Sequence, residues 1–174
     1  MSNSTKSELE IYFSTGRCSL GFILVAQSGK GVCAVLLGDN ARDLELDLRK
    51  RFPVAVLIGA GVELRSLLTQ VIELVESPEA EGNLPLDLRG TEFQKRVWQA
   101  LRGIPIGSVA SYTEIASQIG SPKAFRAVAR ACAANALAVL IPCHRVVKND
   151  GALSGYRWGL ARKRALLERE AAHQ

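Results

Sequence analysis

Apolar residues follow two rhythms along this chain. Near the start they form short blocks rich in β-branched residues. “IYFSTG”, “LGFILVAQ” and “GVCAVLL” read as strands, the last two separated by the turn-forming “SGKG”. From residue 43 the spacing becomes helical. “DLELDLRKRF” reads as a helix stopped by Pro53, and “VELRSLLTQVIELVES” sets Leu64, Leu67, Leu68, Val71, Ile72 and Val75 on one face. “SPEAEGNLP” then breaks the pattern with proline, glycine and asparagine. It predicts a linker, giving an α/β part over 1–83 and a mostly helical part over 84–174.

The second part carries helix start and stop signals. “TEFQKRVWQAL” opens with Thr91 and Gln94 at capping-box spacing, and Phe93, Val97, Ala100 and Leu101 share a face. “SYTEIASQIG” repeats the device with Ser111 and Glu114 and ends at Gly120 in the C′ position. The next helix is expected to start with Ser121 as N-cap and Pro122 as its first residue. Two helices on a tight turn predict a helix-turn-helix. On the second, Phe125, Val128 and Cys132 are spaced to face inward. Lys123, Arg126 and Arg130 share another face, with Ala124, Ala127 and Ala131 between them. Such a face offers cations and small side chains. It lacks the Asn or Gln that reads adenine, so phosphate and shape contacts with little sequence preference are expected. The plainer alternative is a solvated basic face.

Charge sharpens this picture. Residues 1–83 hold 8 Lys/Arg against 11 Asp/Glu, a balance of −3, while residues 84–174 hold 14 against 6, a balance of +8. The second part is the one expected to meet a polyanion. Hydrophobic residues make up 48% and charged residues 22%, as in a soluble globular protein. No apolar run approaches the ~18 residues of a membrane span. The polar start “MSNSTKSELE” lacks the apolar core of a leader, so a cytoplasmic setting is expected. Of the four cysteines none forms a C-x-x-C pair, and there are only two histidines, so no metal site is expected.

One apolar run is interrupted by chemistry. “LIPCHRVV” places Cys143, His144 and Arg145 side by side. A thiol reacts as its thiolate and needs a base or a cation to form it. Neighbours on an extended chain point to opposite faces, but Pro142 predicts a turn that brings Cys143 and His144 together. The histidine then needs an orienting acid, and the terminal “GLARKRALLERE” offers Glu168 or Glu170. “NDGALSGYRWG” adds Tyr156 and Trp158 in a glycine-rich loop, as pocket wall or as core.

“IPCHRVV”, the downstream “GALSGYRWGLARKRALLERE” and the upstream “RAVA” helix together resemble the O6-alkylguanine-DNA alkyltransferases (methylated-DNA–protein-cysteine methyltransferases), Ada-type members above all. The likeness runs from about residue 84 to the C-terminus and is weaker before it. It implies a ribonuclease-H-like small sheet with helices, followed by a mostly helical domain with a DNA-binding helix-turn-helix. It implies single-turnover removal of alkyl groups from guanine O6, and less readily thymine O4, in double-stranded DNA. The DNA would be held at its minor groove by a monomer or a cooperative array, without a cofactor.

Residue by residue, the resemblance makes Cys143 the alkyl acceptor, His144 its base through a water, and Glu170 the orienting acid. Asn135 braces the site and Tyr112 protonates the departing guanine near the rotated phosphate. Arg126 replaces the flipped nucleotide in the stack, and Ala127 lets the helix sit in the groove. Tyr156, Arg157, Trp158 and Lys163 surround the substrate. Arg157 and Trp158 stand where many members carry small residues, which implies a pocket that favours methyl over benzyl. The zinc of some relatives is not carried over, because the first part has two cysteines and no histidine. Arg145 receives no role. The rival readings are a cysteine hydrolase built on Cys143 and His144, and a non-catalytic damage-binding relative, a class that lacks the acceptor cysteine.

Overall fold

The three strand-forming blocks supply three strands of a four-stranded sheet in the computed structural model, which describes residues 9–80 and 82–173. The polar segment 1–8, on which the expectation of a leaderless start rests, lies outside the described residues. Strands β1 (Glu10–Cys18), β2 (Gly21–Ser28) and β3 (Gly31–Gly38) form an antiparallel meander, with Thr15 opposite Leu24 and Leu24 opposite Leu36. Along β2 and β3 burial is almost continuous, which is why the sequence shows solid apolar blocks there rather than alternation.

Helix α1 (Ala41–Arg51) is capped by Asn40, whose side chain accepts from the Asp43 N–H at 2.9 Å. It buries Leu44 and Leu48 against β2 and β3 and ends before Pro53. A four-residue strand, β4 (Val56–Gly59), then joins the sheet parallel to β1, giving the order β3-β2-β1-β4. The apolar pattern does not predict β4. It is a short, largely exposed edge strand whose pairing comes from a partner some 45 residues away in sequence. Helix α2 (Arg65–Glu76) packs Val71 and Val75 against β1 and β2.

The chain next returns to the free edge of β3. The Val32 N–H donates to Pro85 O at 2.9 Å, and the Asp87 N–H to Val32 O at 2.9 Å. Helix α3 (Glu92–Arg102) has the capping box at Thr91 and Gln94 and buries Val97, Trp98 and Leu101. A two-residue strand, β5 (Ala110–Ser111), leads into α4 (Tyr112–Gln118), capped by Ser111 and Glu114. Gly120, at φ +79°, closes α4. Its N–H reaches Ser117 O at 3.0 Å and the Ser121 N–H reaches Ala116 O at 2.9 Å, a Schellman motif.

Helix α5 (Phe125–Ala134) completes the helix-turn-helix, but it starts later than expected. Ser121 is consumed in closing α4, and its carbonyl accepts from the Ala124 N–H at 2.8 Å in a turn that holds Pro122. Ala124 is the N-cap residue, without a side-chain bond. The late start leaves Phe125 at the helix tip, 40% exposed rather than facing inward, while Val128 and Cys132 are buried. The Trp98 indole N–H donates to Ala131 O at 2.9 Å and ties α3 to α5.

After α5 the chain pairs once more with β3: the Val35 N–H reaches Ala136 O at 2.8 Å, and the Ala138 N–H reaches Val35 O at 3.0 Å. A sheet edge that would otherwise stand open thus anchors the segment leading to Cys143. A 3₁₀ turn (Cys143–Arg145), strand β6 (Val146–Val147) parallel to β5, and α6 (Leu160–Ala171) finish the fold. One core runs through both parts, from Ile23 and Val35 to Leu101, Val128 and Ile141. Among the described residues no helix is long and apolar enough to cross a membrane.

Candidate active site

The interrupted apolar run resolves into a tight turn. The Cys143 N–H donates to Ile141 O at 2.8 Å and the Arg145 N–H to Pro142 O at 3.0 Å. The 3₁₀ twist removes the alternation of an extended chain, so Cys143 lines a cavity while His144 and Arg145 both reach α6. Asn135, fully buried just past α5, staples this turn. Its Oδ1 accepts from the Leu137 N–H at 2.8 Å, and its Nδ2 donates to Ile141 O at 3.0 Å and to Cys143 Sγ at 3.2 Å. Burial pushes the Cys143 thiol up to about 11, against the opposing pull of the Asn135 bond and the Lys163 charge. The resting group is therefore the neutral thiol.

His144 is fully buried, and its Nε2 lies 2.7 Å from Glu170 Oε1. Of the two acids in α6 open to the sequence reading, Glu170 is thus the one that reaches the imidazole. Burial would raise the Glu170 carboxyl, but bonds from His144 and Arg145 outweigh it and hold the group down at about 2. Burial also lowers the proton affinity of His144, more than Glu170 restores it. A neutral imidazole facing an ionised carboxylate carries its proton on Nε2. Its buried Nδ1, which has no partner among the described residues, then holds a lone pair.

Arg145, left without a role by the sequence, binds the same carboxylate. Its Nε lies 3.0 Å from Oε2 and its Nη2 2.8 Å from Oε1, while Nη1 donates to Ile104 O at 2.8 Å.

Above the thiol lies a cavity of about 560 Å³, lined by Tyr112, Cys132, Cys143, Lys148, Tyr156 and Arg157 among others. The hydroxyls of Tyr112 and Ser154 are hydrogen-bonded at 2.9 Å. Ser154 escaped the sequence reading because Ser-Gly signals only a turn. Two residues expected at the pocket stand behind it. Trp158 is 5% exposed and does not line the cavity. Its ring packs edge-on against Tyr156, centroids 5.3 Å apart, because its bulk finds cover on the side of the loop nearer α1. Lys163 is fully buried under the loop, where Nζ donates to Val146 O at 2.6 Å and to Ser154 O at 2.9 Å. Both carbonyls need a donor, and a long side chain from α6 supplies it.

Arg157 does stand at the rim. It donates to Ala133 O at 3.1 Å and pairs with Asp47 of α1 at 3.4 Å. On the helix-turn-helix, Lys123, Arg126 and Arg130 are exposed and Ala127 is half-buried. All four cysteines are free thiols.

The family described as “6-O-methylguanine DNA methyltransferase, DNA binding domain” matches residues 92–172. The inducible methylated-DNA–protein-cysteine methyltransferase of Bacillus subtilis is 39% identical over 70% of this chain and 68% of its own length. The chain belongs to the methylated-DNA–protein-cysteine methyltransferase family. The bifunctional transcriptional activator/DNA repair enzyme Ada of Escherichia coli is 50% identical over 95% of this chain, which spans 47% of the Ada length. The crystal structure of Mycobacterium tuberculosis OGT in complex with DNA superposes with a TM-score of 0.78 at 35% identity, covering 92% of this chain and 93% of that one. For this methyltransferase-family chain, the matched region runs from α3 to α6 and holds Tyr112, Asn135, Cys143, His144 and Glu170. Val35, which anchors the Asn135–Cys143 segment, lies outside it.

Proposed function

We propose that this chain repairs alkylated DNA by moving the alkyl group from guanine O6, and less readily from thymine O4, onto Cys143, once per molecule. The reading rests on one observation: a buried thiol lines a cavity large enough for a purine, beside an imidazole engaged by Glu170 on Nε2 and, among the described residues, unpartnered on Nδ1.

In this reading Nδ1 takes the Cys143 proton through a water, and the thiolate attacks the alkyl carbon. The S–C bond forms as the C–O bond breaks, and its electron pair leaves with the guanine. The leaving base takes a proton from the Tyr112 hydroxyl, which the His144 imidazolium makes good through solvent. The product is a thioether. It offers no carbonyl for water to attack, so Cys143 stays alkylated and the protein turns over once.

The alkylated base has to leave the duplex, at a cost of roughly a few kcal/mol. Helix α5 with the turn before it is the proposed minor-groove element, with Arg126 filling the gap, Ala127 permitting close approach, and Lys123 of the turn and Arg130 on phosphates. Asn135 braces the thiol, and Tyr156 and Arg157 wall the base. The protein acts as a monomer, without a cofactor.

Mass spectrometry after incubation with duplex DNA containing O6-methylguanine tests the reading. The expected result is a gain of one methyl group on Cys143, absent in Cys143→Ser. Unmodified protein with an intact thiol overturns it, whether the DNA is merely bound or a hydrolysed product accumulates.

A further inference from the structure

Next to the thiol's cavity lies a second, shallower basin of about 370 Å³. Phe125 lines it, together with Tyr112, Thr113 and the turn Lys148, Asn149, Asp150. Tyr112 and Lys148 line both spaces, so the basin continues the cavity. Phe125 is 40% exposed at the first position of α5. Single exposed apolar residues are ordinary on protein surfaces. This one, however, stands among Lys123, Arg126 and Lys148, all exposed. The one acid in the lining, Asp150, has an oxygen engaged by the Ala152 N–H at 2.9 Å within its own turn. The surroundings of the ring thus suit a polyanion. Arg126 also rests over it, its guanidinium carbon 5.2 Å from the ring centroid.

We propose that Phe125 is a second DNA-wedging residue, packing against the nucleotide that flanks the extruded one, with Lys148 meeting the phosphate of that nucleotide. The proposal builds on the alkyl-transfer reading above. In free protein the ring seats the Arg126 guanidinium. When Arg126 enters the base stack, the ring is uncovered beside the gap. An aromatic face packs on any base, and apolar wedges in the minor groove hold a base step open. The contact is therefore indifferent to sequence. Arg126 fills the space of the lost base, and Phe125 keeps its neighbour from closing over it.

The test is the single-turnover rate of methyl transfer from duplex DNA, for wild type, Phe125→Ala and Phe125→Trp, with thermal melting of each to establish folding. Phe125→Ala is expected to slow transfer about tenfold, and Phe125→Trp to restore most of it. A second arm replaces the base on either side of the lesion, in turn, by an abasic site. On one of these duplexes wild type is expected to fall to the rate of Phe125→Ala. Wild-type speed in Phe125→Ala on the intact duplex overturns the proposal. So does an undiminished difference on both abasic duplexes, which marks a structural role. A wild type that transfers no methyl to Cys143 overturns the alkyl-transfer reading itself, and this inference with it.

Discussion

Arg145 and His144 share one acceptor: Glu170 Oε1 lies 2.8 Å from Arg145 Nη2 and 2.7 Å from His144 Nε2. The guanidinium also grips Oε2 and reaches back to Ile104 O, so a single side chain joins the thiol-bearing turn, the end of α3 and α6. Arg145 thereby sets the direction of the carboxylate that orients the His144 imidazole, and helps keep it ionised.

Breaking this grip leaves a buried carboxylate short of a partner. Arg145→Ala is expected to cost about 3 kcal/mol in urea denaturation. Arg145→Lys should recover little, because an ammonium cannot reproduce the two-pronged contact. Stability unchanged in either variant would contradict the bracing role.

The reaction should tolerate mild acid. Burial lowers the proton affinity of His144, so the imidazole stays neutral and basic below the ordinary histidine range near 6.5. The rate of Cys143 alkylation is expected to stay level from pH 8 down past 6.5 and to fall only below it. His144→Ala should lower the rate by about a hundredfold or more at every pH. A wild-type rate already halved at pH 7 would count against His144 as a neutral base.

Stability should fall on acidification in two stages. His144 binds a proton less readily when folded than when unfolded, so stability is lost as the pH drops below 6.5. Glu170 is held at about 2 in the folded chain against 4.5 ordinarily, so its contribution is full above 4.5 and is lost between 4.5 and about 2. Melting temperature against pH should show both limbs. In Glu170→Gln the lower limb should flatten, and an identical lower limb there would refute the assignment.

The Asn135 side chain ties the Leu137 N–H, the Ile141 carbonyl and the Cys143 sulfur together. Asn135→Ala strands the Leu137 N–H and the Cys143 sulfur in the interior and takes one of two donors from the Ile141 carbonyl, at a cost of about 3 kcal/mol. It also removes a donor that eases thiolate formation, so the thiol should titrate higher. Iodoacetamide modification followed against pH reads this directly, and a downward shift would be inconsistent with it.

Size selectivity should respond to Arg157 rather than to Trp158. Arg157 lines the cavity, whereas Trp158 sits behind Tyr156. Arg157→Gly is expected to raise the rate with O6-benzylguanine relative to O6-methylguanine. Trp158→Ala should cost about 3 kcal/mol of stability, with a smaller change in that ratio. The opposite ranking would show that the loop is arranged differently when substrate is bound.

The sequence alone sufficed where a feature depends on neighbours within one turn of chain. The capping boxes at Thr91 and Ser111 and the C′ glycine at position 120 are local hydrogen-bond patterns, and the structure forms all three. The helix-turn-helix follows from them. Cys143 stood out as a candidate because a thiol, an imidazole and a guanidinium interrupt an apolar run without packing reason. Expectations failed where a residue had a stronger claim elsewhere. Ser121 closes α4 instead of opening α5, β4 exists because β1 offers it an edge, and Lys163 turns under the loop to satisfy two carbonyls. Trp158 leaves the pocket for cover near α1. Tertiary structure also brought Glu170, which the resemblance and not the local pattern had singled out, to His144, gave Arg145 its partner, and hung the thiol's segment from β3. Local rules cannot see these pairings. Most join groups far apart in sequence, and the buried polar atoms that demand a partner are known only once the core has closed around them.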